Sequence, residues 1–147
     1  MFQSFRILLV EDDDGLRSCL GEFLADNGWE VGEAGCGEEA RALFRQQRFD
    51  FTILDYHLPG ITGLELFRQL ASHRRLPAIL MSGLASTEEV LAARDAGFYS
   101  FLRKPLELSA LRTTVENLIR SQFGGPLANL PPDQLTPRLR PRQRPNF

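Results

Sequence analysis

Five short apolar runs alternate with five stretches whose apolar residues recur at helical spacing, and this predicts an α/β fold. The expected architecture is (βα)5: a doubly wound, parallel five-stranded sheet with helices on both faces. Three observations carry the prediction. The runs "RILLV", "FTIL" and "AILM" are short and continuous, as in strands buried on both faces. The stretches between them keep apolar residues three and four apart. Glycine, asparagine and proline fall where each stretch should end.

Taken in order, residues 6–10 form the first strand. Leu16, Cys19, Leu20, Phe23 and Leu24 mark the first helix, which Asn27-Gly28 closes. "EVGEA", 30–34, alternates weakly and is the poorest strand signal. "GEEARALFRQQ", 37–47, is helical, with Ala40, Leu43 and Phe44 inward. "FTIL", 51–54, is the third strand, and Leu64, Phe67, Leu70 and Ala71 mark the third helix. "AILM", 78–81, is the fourth strand. "STEE", 86–89, has the pattern of a capping box opening the fourth helix, which ends at Ala96-Gly97. "YSFLR", 99–103, is the fifth strand, and Leu108, Leu111, Val115, Leu118 and Ile119 trace the fifth helix.

A chain of 147 residues holds one ordinary domain, here expected over 1–122. A Pro/Arg-rich tail or linker, 123–147, is expected to be disordered: six of the nine prolines fall between 126 and 145, and "PRLRPRQRPNF" has no periodicity. The net charge of −2 conceals an asymmetry. Residues 1–120 carry 13 basic and 18 acidic side chains, so the folded part lacks the basic face of a nucleic-acid binder. There is no apolar run of membrane-spanning length and no signal-peptide pattern, so a cytoplasmic protein without membrane contact is expected. Two cysteines make neither a disulfide framework nor a metal site, and Cys19 is expected in the core.

In open α/β sheets, ligands sit at the carboxyl ends of the strands. Glu11, Asp12, Asp13 and Asp14 follow the first strand, Asp55 the third, Ser82-Gly83 the fourth, and Lys104-Pro105 the fifth. Asp13 or Asp14 is expected to cap the first helix. Carboxylates held close raise one another's pKa unless a cation joins them. An all-oxygen acidic set suits Mg²⁺ (or Mn²⁺), placed between Glu11/Asp12 and Asp55. His57 and His73 have no ligand spacing that would favour zinc.

A metal beside one forward carboxylate, faced by an ammonium and a hydroxyl, is equipment for phosphoryl transfer. Asp55 would be the nucleophile, with Lys104 and Ser82 each meeting a phosphoryl oxygen. Lys104 is the only lysine among 17 basic residues, which suits a site needing a compact point charge rather than a planar guanidinium.

"LLVEDD", "FTILDYHLPGITG", "AILMSG" and "AGFYSFLRKP" together resemble the receiver domain of bacterial two-component response regulators, over about residues 5–121. The gaps of 43, 27 and 22 residues between Asp12, Asp55, Ser82 and Lys104 also fit that family. The resemblance implies a flavodoxin-like strand order 2-1-3-4-5 and Asp55 as phosphoacceptor. It implies metal ligation by Glu11, Asp12, Asp55 and the backbone carbonyl of His57, with Asp12 the direct ligand of the acidic pair. Lys104 and Ser82 take the roles already given; Ser82 and Phe101 form the switch, Phe101 turning inward when the hydroxyl moves. His57 and Leu84 match positions at the site's mouth that tune dephosphorylation, and Lys104-Pro105 is a candidate cis peptide. Glu11 stands where Asp is commoner and Phe101 where Tyr is commoner, so the switch has no phenol to bond outward.

The implied partners are a sensor histidine kinase or a phosphotransfer protein in a phosphorelay, with a homodimer through the face of the fourth helix, fifth strand and fifth helix. The protein is expected to assist its own phosphorylation and dephosphorylation without being an enzyme on another substrate. Nucleic acid is expected only through an output domain that this chain does not contain. The chain is expected to be a stand-alone receiver or the front part of a longer regulator. The alternatives are a phosphate-independent interaction module and a flavin- or nucleotide-binding module on the same fold. The loop "EDDDG" opposes the second, because without a metal it would repel phosphate.

Overall fold

The computed structural model describes residues 4–84 and 86–124. Five parallel strands, β1 (Arg6–Val10), β2 (Glu30–Ala34), β3 (Phe51–Asp55), β4 (Ala78–Ser82) and β5 (Ser100–Arg103), form one sheet in the order β2-β1-β3-β4-β5. Five helices alternate with them: α1 (Asp14–Asp26), α2 (Gly37–Gln46), α3 (Gly63–Ala71), α4 (Thr87–Ala96) and α5 (Leu108–Phe123). Two further short strands, His57–Leu58 and Ile61–Thr62, pair antiparallel in the segment the sequence suggested only as a turn. The expected tail lies outside the described residues from 125 onward, and α5 takes in Phe123 before Gly124 caps it. No helix among the described residues is long and apolar enough to cross a membrane.

The continuous apolar runs are explained by burial on both faces of the sheet. Leu8, Val10, Leu54, Leu80 and Phe101 pack with side chains of α2, α3 and α4. Their strand neighbours Ile7, Leu9, Ile53, Ile79 and Met81 pack on the other side with Leu20 and Leu24 of α1 and Leu111, Val115 and Leu118 of α5. Alternation along each strand therefore divides one apolar run between two cores. β2 reads weakly because it is the edge strand, paired only with β1, and only its last residue, Ala34, is fully enclosed.

Helix starts follow the capping residues. Asp13 Oδ1 accepts from Leu16 N at 2.9 Å, so Asp13 rather than Asp14 caps α1. Ser86 and Glu89 form the reciprocal capping box of α4, and Gly97 ends that helix at φ 99°, a left-handed conformation that glycine adopts without a Cβ clash.

Two sequence expectations need correction. Cys19 lies on α1 but is exposed. The buried face of α1 centres on Leu20, Gly21 and Leu24, and at about 100° per residue Cys19 falls well around the helix from it. Leu108 opens α5 as expected and is 37% exposed, because the helix meets the sheet only from Leu111 onward. β5 also begins one residue later than expected, at Ser100.

Candidate functional site

The order β2-β1-β3-β4-β5 brings the carboxyl ends of β1, β3, β4 and β5 side by side. Glu11 leaves β1 with its backbone N–H donating to Ala34 O at 3.0 Å, and its side chain is turned inside at 1% exposure. The N–H of Asp13 donates to Glu11 Oε2 at 3.1 Å, so the first turn of the loop is folded onto the carboxylate it follows. Arg17, one turn into α1, donates to Glu11 O at 2.8 Å and to Asp14 Oδ1 at 2.7 Å. The Asp14 bond, helped by the nearby carboxylates of Glu33 and Glu39, holds the guanidinium pKa above its ordinary value against the opposing effect of burial.

Asp55 ends β3 at 4% exposure, and the His57 N–H approaches its Oδ1 at 3.3 Å. The chain then turns through the short hairpin and returns to Gly63, whose N–H donates to Tyr56 O at 2.7 Å. A Cβ at Gly63 would stand 2.2 Å from the Asp55 carbonyl oxygen, so the return requires glycine there for close backbone approach. The residue pattern suggested a turn from "LPGITG" but gave no role to Gly63; the second glycine of that stretch was the available signal.

Lys104 closes the pocket from β5. Its backbone N–H donates to Ser82 O at 2.9 Å, and a cis peptide joins it to Pro105. Its ammonium donates to Glu11 Oε1 at 2.6 Å and to Asp55 Oδ2 at 3.1 Å. Burial lowers the lysine pKa, but the two carboxylates outweigh burial and hold it above the ordinary lysine value.

Carboxylate oxygens of Glu11, Asp12 and Asp55 all lie within 4.8 Å of one another, with Asp12 exposed at the opening. One ammonium against three carboxylates leaves the cluster negative. A hard, all-oxygen donor set of that charge fits a small divalent cation.

Ser82 is buried at the end of β4, its Oγ accepting from Leu84 N at 3.3 Å. Leu84 is 82% exposed, and His57 is exposed beside the ring of Tyr56. Phe101 is already enclosed, in the core shared by Val90, Ala93 and Phe98.

A doubly wound parallel sheet with an acidic pocket and one lysine at its carboxyl edge defines a flavodoxin-like domain. The model of the response regulator receiver domain matches residues 7–116, and the chain belongs to that family. The regulatory protein VanRB of Enterococcus faecalis is 37% identical over 117 residues, covering 80% of this chain and 53% of that protein. The transcriptional regulatory protein PdtaR of Mycobacterium tuberculosis is 36% identical over 112 residues, covering 76% and 55%. The chain thus spans about half the length of the curated relatives it matches. Among solved structures, the non-phosphorylated HemR receiver domain of Leptospira biflexa superposes with a TM-score of 0.75 at 33% identity, covering 79% of this chain and 94% of that one. A putative response regulator of Chloroflexus aurantiacus gives 0.74 at 31% identity, covering 80% and 98%.

Proposed function

We propose that this chain is a phosphoacceptor receiver whose Asp55 takes a phosphoryl group from a histidine kinase or phosphotransfer protein. The observation that carries this reading is the joint contact of the Lys104 ammonium with Glu11 and Asp55 in a pocket where both carboxylates are enclosed. An Asp55 carboxylate oxygen attacks phosphorus while the bond from phosphorus to the donor breaks, and the leaving group departs with the electron pair. The product is an acyl phosphate, and later attack of water on phosphorus returns the carboxylate and releases inorganic phosphate.

Glu11, Asp12, Asp55 and the His57 carbonyl are the groups that would hold Mg²⁺ (or Mn²⁺). Bound there, the ion supplies neutralisation of charge on a phosphoryl oxygen. Lys104 sits within reach of a second phosphoryl oxygen without leaving the pocket. Ser82 is placed to give up its bond from Leu84 N and donate its hydroxyl to a third. Phosphorylation adds negative charge and acceptors at the strand ends. Ser82 and Lys104 are drawn toward them, and Phe101, inward from the start, repacks rather than swings. The face of α4, β5 and α5 carries the change to a partner, including a second copy. Leu91 on α4 and Leu108 on α5 are exposed apolar side chains available there.

Residues 1–122 act as the receiver in the cytoplasm, and 123–147 act as linker or tail. The length of the curated relatives supports an output partner, in the same polypeptide or a separate one. Incubation with acetyl phosphate tests the reading. The wild-type chain is expected to gain one phosphoryl group in Mg²⁺ and none in EDTA. Labelling of Asp55→Asn at the wild-type rate would contradict it.

A further inference from the structure

Away from the strand ends, a trench runs between α2 and α3. Its deeper part, about 280 Å³, is lined by Arg41 and Arg45 from α2 and by His73 and Arg74 beyond α3. No acidic side chain lines it, although the chain as a whole is acidic. Three guanidiniums from two segments some thirty residues apart in sequence therefore converge on one groove. None of the three forms an ion pair among the described residues, where Arg6, Arg17 and Lys104 supply every cation so engaged. Arg45 is in the last turn of α2 and is accounted for there by the helix dipole. Arg41, in mid-helix, and Arg74, outside any helix, are not.

The guanidinium of Arg74 lies 4.0 Å over the ring of Phe44, and its Nη2 is enclosed without a hydrogen-bond partner. The ring contact holds the guanidinium in place, and no carboxylate lines this part of the groove to meet its charge. Arg41 donates to Gln69 Oε1 at 2.9 Å. That pair also lines a second cavity of about 710 Å³, which continues past the start of α2 to Pro59 and Gly60; Glu38 joins the lining there, so the unopposed cations end at Arg41. The trench is therefore elongated. A compact anion would fill one end, whereas an extended chain would follow its length.

We infer that the α2–α3 trench is a docking groove for an acidic segment of a partner protein, with carboxylates of that segment set against Arg41, Arg45 and Arg74. The surface is separate from the phosphoacceptor pocket and from the α4-β5-α5 face.

Fluorescence anisotropy with a fluorescein-labelled Asp/Glu-rich peptide tests it. The full chain is used with Arg138, Arg140, Arg142 and Arg144 changed to Gln, which removes the competing charge of the C-terminal stretch. Arg41→Glu with Arg45→Glu is expected to weaken binding about tenfold or more, as is Arg74→Gln. Arg94→Glu with Arg112→Glu, on α4 and α5, should leave it within about twofold. If the charge reversals impair folding, Arg41→Gln with Arg45→Gln serves instead, with a smaller loss in the same direction. The inference is overturned if the peptide does not bind, if its all-amide counterpart binds equally, or if both pairs of variants lose equally. It is also overturned, in favour of a small-anion site, if inorganic pyrophosphate displaces the peptide at lower concentration than unlabelled peptide does.

Discussion

The ammonium of Lys104 stands 2.6 Å from the carboxylate of Glu11, although 93 residues separate them in the chain. The contact links the ends of the outer strand β5 and the inner strand β1, across β3 and β4, and the same nitrogen reaches Asp55 at 3.1 Å. Stability and chemistry therefore meet in one side chain.

Removing that side chain should leave two enclosed carboxylates without their cation. Lys104→Met is expected to cost about 2 kcal/mol in urea unfolding in EDTA, less than a fully buried pair because the lysine is partly exposed. Mg²⁺ should restore part of the loss by neutralising the same cluster. Equal unfolding midpoints with and without Mg²⁺ would count against a cation site at Glu11, Asp12 and Asp55.

The raised pKa of Lys104 fixes the sign of a pH effect. Its folded-state value lies above the unfolded one, so the folded state holds this proton more tightly. The resulting stabilisation is fully present below the unfolded lysine value of about 10.4 and is lost as pH rises through the folded value. Unfolding midpoints of wild type and Lys104→Met should therefore converge above about pH 10.4 and stay apart below it. A constant difference across that range would refute the linkage.

Gly63→Ala should be harmful out of proportion to one methyl group. The new Cβ would meet the Asp55 carbonyl oxygen at 2.2 Å, and backbone must shift to admit it. A loss of about 2–3 kcal/mol is expected, with slower phosphorylation if Asp55, the residue displaced, is the acceptor as proposed. Gly15→Ala is the control: its nearest contact would be 3.5 Å from Asp13 Oδ1, and alanine suits a helix, so no loss is expected.

Asp12 is the exposed member of the acidic cluster and makes none of the internal bonds that hold Glu11. Asp12→Asn should leave the unfolding midpoint in EDTA within about 0.5 kcal/mol of wild type, as for an ordinary surface change. It should nevertheless raise the Mg²⁺ concentration needed for stabilisation. A large loss of stability in EDTA would assign Asp12 a structural part instead.

Much of this arrangement was legible in the sequence because of how parallel sheets are built. Strands buried on both faces appear as unbroken apolar runs, so a charged residue directly after one stands out, as Glu11 and Asp55 do, whereas Lys104 stands out as the chain's single lysine. What escaped the pattern depends on contacts that leave no periodic trace. Arg17 ties the Glu11 loop through a backbone carbonyl, which carries no residue identity. Gly63 matters because two backbone segments touch, and the trench between α2 and α3 exists only once the helices are laid side by side. Cys19 was misjudged because helical spacing alone does not say which side of a stripe faces the sheet.

The most direct measurement is chemical mapping of the modified residue. After reaction with acetyl phosphate in Mg²⁺, borohydride reduces an aspartyl phosphate to homoserine, which mass spectrometry of peptides locates. Homoserine at position 55, absent in EDTA and absent from unreacted protein, is the expected result. Homoserine at another aspartate, or none in protein that has demonstrably gained a phosphoryl group, would contradict Asp55 as the acceptor.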